Sequence, residues 1–116
     1  MLILFCGDRN WQSHVSIIKA LERFNAKADT VMHGGARGAD TIAGFEAERL
    51  GFDVRVFPAL WNLYGRSAGP RRNRQMLAQK PDLVLAFHPH LELSKGTKDM
   101  VSIARAAGIA VEVFNT

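Results

Sequence analysis

Short apolar segments alternate with longer amphipathic segments along the chain, and each change of pattern occurs at Gly, Asp, Asn or Pro. The apolar segments are nearly free of charged residues, which is typical of strands that are buried on both faces of a sheet. The predicted strands run from Leu2 to Cys6, Thr30 to His33, Val54 to Phe57, Leu83 to Phe87 and Ile109 to Phe114.

The amphipathic segments repeat their apolar residues at helical spacing. The predicted helices run from a cap at Ser13 to about Asn25, from Ala39 to Leu50 with Gly51 as the stop, from Pro70 to Gln79, and from Gly96 to Ala107. Two connections lack such a pattern: Pro58 to Gly69 is expected to be an irregular excursion, and residues 88–95 to form a polar loop.

This order, strand then helix four times with a closing strand, predicts an α/β fold. We expect residues 1–116 to form one Rossmann-like domain of three layers, with a five-stranded parallel sheet and helices on both faces. Ligands of such sheets bind beyond the carboxyl ends of the strands. The loops expected to meet at that edge are Gly7 to Trp11, Gly34 to Gly38, Pro58 to Gly69 and His88 to Lys95.

The composition is that of an ordinary globular protein: 116 residues, 47% hydrophobic and 22% charged. It excludes a disordered or collagen-like chain, and no apolar stretch approaches the roughly 20 residues that a bilayer span needs. The first residues predict a buried strand rather than a signal peptide, so we expect a cytoplasmic protein with no membrane association. Cys6 has no partner for an internal disulfide and is expected to be a small buried hydrophobe.

The net charge of +4 lies in the second half of the chain, where four arginines fall close together: Arg66, Arg71, Arg72 and Arg74. This cluster indicates an anion or a partner with phosphates, although a solvated basic helix face would look the same. Helical spacing puts Arg71 and Arg74 on one face and Arg72 and Met76 on another, so at least one arginine is expected to face solvent.

Three segments are candidates for phosphate binding. His33 to Asp40 contains three glycines before a helix, which favours an anion-binding loop with Arg37 as counter-charge; the alternative is a tight turn in which Asp40 caps the helix or tethers Arg37. A second helix begins at Gly96 and Thr97, and a third segment carries Arg71, Arg72 and Asn73. The candidate phosphate-binding residues of the three segments are Gly34, Gly35, Ala36, Arg37, Gly38, Asp40, Arg71, Asn73, Gly96 and Thr97.

The loop after the first strand offers further contacts, from Gly7, Asp8 and Arg9. Asp8 is expected to accept from a ribose hydroxyl or a base edge. Three aromatic residues, Trp11, Trp61 and Tyr64, are candidates for base stacking, or else pack over the core. His88 and His90 have no Cys or paired carboxylates beside them, so no metal site and no cofactor are predicted.

Several of these motifs occur together and in order in a known family. They are His33 to Asp40, Phe57-Pro58-Ala59 with Trp61 and Tyr64-Gly65, Ala68-Gly69-Pro70 with Arg72, Asn73 and Met76, Pro81-Asp82, and Gly96-Thr97 with Asp99 and Met100. In this the chain resembles the YspA-like proteins of the SLOG superfamily, which includes the Smf/DprA proteins and the Lonely Guy enzymes. The resemblance implies a Rossmann-like fold that binds nucleotides or nucleotide-derived molecules, with the phosphate held by the Gly-rich loop and the Gly96-Thr97 helix start, and pairing into a homodimer.

The Lonely Guy branch cleaves the N-glycosidic bond of nucleoside monophosphates with an arginine and a glutamate. By resemblance Arg72 corresponds to that arginine, whereas Met100 stands at the position of the glutamate. Asp99 lies one residue earlier, about 100° away around a helix, and Glu92 lies in the preceding loop. Both are candidates to replace the missing carboxylate.

The leading hypothesis is a nucleotide-binding protein or sensor. The first alternative is a nucleotide N-glycosidase that uses Arg72 with Asp99 or Glu92. The second is a single-stranded DNA-contacting module, which the modest net charge disfavours.

Overall fold

The sheet has five strands, and every neighbouring pair is parallel. The computed structural model describes all 116 residues, and it orders the strands β3-β2-β1-β4-β5. The strands are β1 (Leu2–Gly7), β2 (Thr30–His33), β3 (Asp53–Val56), β4 (Leu83–Phe87) and β5 (Ala110–Phe114). The predicted five-stranded parallel sheet is confirmed.

Helices connect the strands and cover both faces of the sheet. They are α1 (His14–Leu21), α2 (Ala39–Arg49), the short α3 (Trp61–Tyr64), α4 (Ala68–Ala78) and α5 (Gly96–Ala106), with single 3₁₀ turns at Gly65–Ser67 and Leu91–Leu93. None of the helices has the length and apolar character needed to cross a membrane.

The alternation of side chains along β1 divides the core into two layers. Ile3 and Phe5 pack with α1 and α2, while Leu4 and Cys6 pack with α4 and α5. On the first face the ring of Phe87 stacks on that of Phe5, with centroids 5.9 Å apart. Cys6 is 7% exposed, so its expected burial is confirmed.

Two helix boundaries differ from the prediction, each for a local reason. α1 ends at Leu21 rather than near Asn25, because the next turns tighten: the N–H groups of Arg23 and Phe24 donate to carbonyls only three residues back. α4 begins at Ala68, two residues before Pro70. Proline is tolerated there because the first N–H groups of a helix have no intrahelical acceptor.

Smaller differences of one residue occur at a boundary of β1, β3, β5, α2, α4 and α5. The segment from Pro58 to Gly69, which was expected to be irregular, contains α3 and a 3₁₀ turn. The loop at residues 88–95 likewise holds the 3₁₀ turn Leu91–Leu93. Ser13 caps α1 as predicted, since its side chain accepts from the N–H of Ser16.

The strand order reverses between β1 and β4, whose last residues, Gly7 and Phe87, are paired. The main-chain N–H of Asp8 continues this pairing by donating to the Phe87 carbonyl at 2.8 Å. Loops leave in opposite directions on the two sides of this point, which opens a crevice at the carboxyl edge of the sheet.

Candidate functional site

A cleft of about 1200 Å³ lies at this carboxyl edge. The loops after β1, β2, β3 and β4 contribute its walls, together with the first turns of α4 and α5. The predicted site residues that line it are Gly7, Asp8, Arg9, Gly34, Gly35, Ala36, Arg37, Asp40, Trp61, Arg72, Asn73, Gly96, Thr97 and Asp99. The strand topology therefore brings most of the predicted residues to one place.

Two of the three candidate aromatic residues lie outside the cleft. Trp11 is 7% exposed, packs edge-on against Phe87, and donates from its indole nitrogen to the Ser13 carbonyl at 3.0 Å. Tyr64 lies under the guanidinium of Arg71, which is 4.3 Å above its ring. Trp61 alone of the three lines the cleft, and 49% of it is exposed.

Three more candidate residues point elsewhere. Arg71 donates to the Ser67 hydroxyl on the outer surface of α4. Glu92 has a side chain 72% exposed, with one oxygen 3.9 Å from His90. Gly38 lines a smaller hollow of about 410 Å³ on the other side of the loop after β1.

The Gly-rich loop is held by a carboxylate of the chain itself. Oδ2 of Asp40 accepts from the N–H groups of Gly34 and Ala36, at 2.9 and 3.3 Å, and the N–H of Gly35 donates to Nδ1 of His33. Of the expected roles for Asp40, neither the helix cap nor a tether to Arg37 is seen. Asp40 instead binds the loop amides that were expected to face a phosphate.

Asp40 is 4% exposed, and this burial determines its electrostatics. Burial raises the pKa of its carboxyl to about 6, while the positive charge of Arg72 and the two amide donors lower it. Burial likewise raises the pKa of the neighbouring Cys6 thiol, with a further increase from the Asp40 charge. Burial lowers the pKa of His33, and Arg72 adds to that decrease. Burial is therefore the largest influence on the pKa of all three groups.

Gly38 allows the loops after β1 and β2 to touch. Its φ of +74° lies in a region that L side chains rarely adopt, and a Cβ placed there would overlap the Asp8 carbonyl oxygen. The same carbonyl accepts from the N–H of Ala39 at 3.1 Å. This contact fixes the position of Asp8 and Arg9 relative to the Gly-rich loop.

Arg72 joins three segments at the back of the cleft. Its Nη1 donates to the carbonyl of Gly34 and, at 3.5 Å, to that of Phe57, and its Nε donates to Oδ1 of Asn73 at 3.2 Å. A side chain at Gly34 would collide with this guanidinium. The Nη2 group makes no hydrogen bond within the protein, so it is the part of Arg72 that is free for a ligand.

Asn73 continues the network from α4 to α5. It is 4% exposed, and its Nδ2 donates to the Gly96 carbonyl at 3.2 Å and to Oδ2 of Asp99 at 3.0 Å. Arg74 approaches the same Asp99 oxygen to 3.6 Å. Asn73 therefore positions the Asp99 carboxylate, with its own polar atoms fully used inside the protein.

The start of α5 presents several unpaired donors. The hydroxyl of Ser94 accepts from the N–H groups of Thr97 and Lys98, at 3.1 and 3.4 Å, but the N–H groups of Lys95 and Gly96 have no partner. The Thr97 hydroxyl also makes no hydrogen bond and borders the cleft. These donors lie at the positive end of the helix dipole.

The predicted site omitted several residues that line the cleft, among them Asn10, Arg66, His88, Ser94 and Lys95. Arg66 belongs to the arginine cluster of the sequence, which was the available signal for it. Lys95 carried no signal beyond its position before Gly96. No group of three or more His, Cys, Asp or Glu side chains is arranged to hold a metal ion.

The cleft carries an excess of unpaired positive charge. The side chains of Arg9, Arg37, Arg66 and Lys95 all line it, and none of them forms an ion pair. Arg72 adds a fifth cation. The carboxylates that line the cleft are Asp8, Asp40 and Asp99, and Asp40 is already bonded to main-chain donors. The site therefore favours an anion.

Comparison with known proteins covers both halves of the chain. The model of the YspA, cpYpsA-related SLOG family matches residues 1–64, which include β1 to β3 and the Gly-rich loop. The Gene 61 protein of Mycobacterium phage D29 is 34% identical over 120 residues, and the alignment covers 97% of this chain and 94% of that protein. No solved structure matches the chain significantly.

Proposed function

The chain belongs to the YspA, cpYpsA-related SLOG family, and we propose that it binds a phosphorylated, ribose-containing nucleotide or nucleotide-derived molecule in the cleft at the carboxyl edge of its sheet. Membership of this family suggests nucleotide-related binding. The cleft volume of about 1200 Å³ is sufficient, because pockets for ligands of this size occupy about 300–1,000 Å³. In this proposal the protein acts as a binding protein or sensor.

The observation that carries the proposal is the convergence of unpaired cations and unpaired amides on one cleft. Guanidinium groups can bond two phosphate oxygens at once, and a helix start adds main-chain donors and a favourable dipole. We assign the phosphate to the wall formed by Lys95, Gly96 and Thr97, with Arg37 and Arg66 as exposed counter-charges from the other walls. Nη2 of Arg72 is the remaining donor.

The Gly-rich loop has a different role in this proposal from the one expected from its glycines. Its amides at Gly34, Gly35 and Ala36 are satisfied by Asp40 and His33, so a phosphate would have to displace a buried side chain to reach them. In this proposal the Gly34 carbonyl helps to hold Arg72 in place, and the side chain of Arg37, which the loop carries, makes the direct contact with the phosphate.

Trp61 is the residue that we assign to the base. Its ring borders the cleft, and one edge lies over Gly69, where an added Cβ would be 3.2 Å from the indole. An indole face that is half exposed offers a stacking surface to any base, since every base has an aromatic face. Stacking alone does not select among the bases.

The proposal is tested by identifying small molecules that remain bound when the native protein is purified under mild conditions. Mass spectrometry should find a nucleotide or a related phosphorylated ribose compound, and calorimetry should then give its affinity. The Arg37→Ala variant should bind at least tenfold more weakly, because a charge-assisted hydrogen bond contributes about 1.5–3 kcal/mol.

Arg105→Ala is the matched control, since Arg105 is an exposed arginine of α5 outside the cleft. It should bind like the native protein. If no nucleotide is retained and none of the common nucleotides binds, or if both variants lose affinity equally, the proposal is wrong.

One observation favours N-glycosidic hydrolysis as a second function. The Asp99 carboxylate borders the cleft, is held through one oxygen by Asn73, and has its second oxygen unpaired. In this second function the carboxylate would stabilise positive charge on the ribose ring while water attacks C1′ and the bond from C1′ to the base nitrogen breaks. The hydroxyl of the water stays on C1′, and its proton goes to the departing base. Glu92 lies outside the cleft and is the weaker candidate.

Incubation with nucleoside monophosphates should then release free base and ribose 5-phosphate in equal amounts. Asp99→Asn should abolish release while retaining nucleotide affinity within about threefold, and Glu92→Gln should leave release unchanged. Absence of free base with every common monophosphate would restrict the function to binding.

A further inference from the structure

The switch point between β1 and β4 is followed by an aspartate on one chain segment and by a histidine on the other. Gly7 and Phe87 are paired, so the next residues, Asp8 and His88, follow on neighbouring strands about 5 Å apart. The N–H of Asp8 donates to the Phe87 carbonyl at 2.8 Å, which keeps the two chains together one residue beyond the sheet. Both residues line the cleft.

Each of the two side chains is oriented by one hydrogen bond from the main chain two residues later. Oδ1 of Asp8 accepts from the N–H of Asn10 at 3.0 Å, and Nδ1 of His88 accepts from the N–H of His90 at 2.9 Å. Their other polar atoms, Oδ2 of Asp8 and Nε2 of His88, have no partner within the protein. Asp8 also forms no ion pair.

The hydrogen bond to Nδ1 also determines where the imidazole proton lies. A nitrogen that accepts a hydrogen bond has no proton, so in this arrangement the ring donates from Nε2. The pair therefore presents a carboxylate acceptor and an N–H donor to the cleft.

This combination does not suit a phosphate, because the Asp8 carboxylate would repel it. It suits hydroxyl groups, each of which can donate to a carboxylate and accept from an N–H. In the class of ligand proposed above, adjacent hydroxyls occur on the ribose. We propose that Asp8 and His88 form the ribose subsite, in which Asp8 accepts from the ribose 2′-hydroxyl and His88 donates to one of the ribose hydroxyls.

The inference rests on the proposed nucleotide binding and adds a selectivity for ribose over deoxyribose. Calorimetry with each of the four ribonucleoside 5′-monophosphates and its 2′-deoxy counterpart measures that selectivity, because the ratio within a pair cancels the contributions of base and phosphate. For the native protein, the best-bound ribonucleotide should bind at least tenfold more tightly than its deoxy form, since tenfold corresponds to about 1.4 kcal/mol, which a hydrogen bond to a charged group can supply.

Variants of the pair assign the selectivity to these residues. Asp8→Asn should bring the ratio within the pair to about threefold or less while the deoxynucleotide keeps its affinity, and His88→Phe should lower the ratio partly. His88→Gln, which retains an N–H donor of similar reach, should restore most of it. Asp53→Asn alters an exposed carboxylate on an edge strand and should leave the ratio unchanged. Unfolding curves for all variants show whether each is folded.

Three results would overturn the inference in different ways. Equal affinities for ribo and deoxy forms in every pair would remove the ribose subsite and leave nucleotide binding intact. No binding of any of the eight compounds would remove the proposed function and the subsite together. A native selectivity that survives unchanged in folded Asp8→Asn would show that another residue recognises the sugar.

Discussion

Replacing Asp40 by asparagine removes a buried charge and can preserve the hydrogen bonds that the charge makes. Oδ2 alone accepts from the N–H groups of Gly34 and Ala36, at 2.9 and 3.3 Å, so the single carbonyl oxygen of an asparagine can take over both bonds. The side chain keeps its shape, and the glycine-rich loop keeps its support. The change therefore isolates the free energy of the charge.

The magnitude follows from the pKa of Asp40, which burial raises from 3.8 to about 6 against the opposing effects of Arg72 and the two amides. Because the folded protein holds this proton more tightly than the unfolded chain, the folded state binds more protons between about pH 4 and pH 6, and its stability falls as the pH rises through that window. The contribution is fully present below about pH 4 and lost above about pH 6. A pKa increase of this size corresponds to about 3 kcal/mol.

Urea unfolding of the native protein and of Asp40→Asn at pH 4 and at pH 7 measures this directly. Relative to the variant, the native protein should lose about 3 kcal/mol between the two pH values, with the variant the more stable at pH 7. Asp53→Asn is the control, because Asp53 is exposed, and it should parallel the native protein. If the native protein instead gains stability relative to Asp40→Asn between pH 4 and pH 7, then Arg72 and the amides outweigh burial and the reasoning is wrong.

Three further predictions concern the framework of the site. Gly38→Ala should destabilise the protein by more than about 2 kcal/mol in urea unfolding. Gly65→Ala is the control, because Gly65 shares a positive φ but an added Cβ would have nothing within 4 Å, and it should cost only about 1 kcal/mol. Equal costs would mean that the contact of Gly38 with the loop after β1 is unimportant. A bound nucleotide should quench the tryptophan fluorescence of the native protein and leave that of Trp61→Phe unchanged, since the remaining Trp11 is buried away from the cleft. Quenching that persists in the variant would exclude stacking on Trp61. Arg72→Lys should lower the free energy of unfolding by about 2–4 kcal/mol, because an ammonium group cannot reach all the acceptors that the guanidinium joins. An unchanged midpoint of urea unfolding would contradict this role of Arg72.

The fold was predictable because its main determinants are local and repeated. Apolar runs such as Leu83 to Phe87 are too short for helices and too apolar for exposed strands, so their order along the chain leads to a covered parallel sheet. The boundaries were less predictable, since they depend on hydrogen bonds that a pattern does not contain. The early end of α1, with the N–H of Phe24 donating back to Leu21, is one example.

The gathering of the site residues was predictable from topology, but their hydrogen bonds were not. Parallel strands bring their carboxyl ends together, which placed the loops at one edge before any contact was known. Whether Trp11 packs inward or faces the ligand depends on the space beside Phe87, and whether the glycine-rich loop binds an anion depends on Asp40, six residues after Gly34. Spacing along the chain contains neither fact.

The polar groups of the cleft divide into those already paired within the protein and those left free, and this division bears on how the site works. Asp40 and Asn73 are both 4% exposed and are hydrogen-bonded inside the protein, and Arg72 is fixed by three acceptors with only its Nη2 unpaired. These residues form a rigid frame that offers a ligand only the Nη2 group of Arg72. Arg37 and Lys95 are exposed and unpaired, and long side chains of this kind lose conformational freedom when they close on a ligand. We therefore expect specificity to come from groups that are both oriented and free, and we expect these groups alone to select among different anions. The exposed cations contribute mainly an electrostatic attraction that weakens as salt is added.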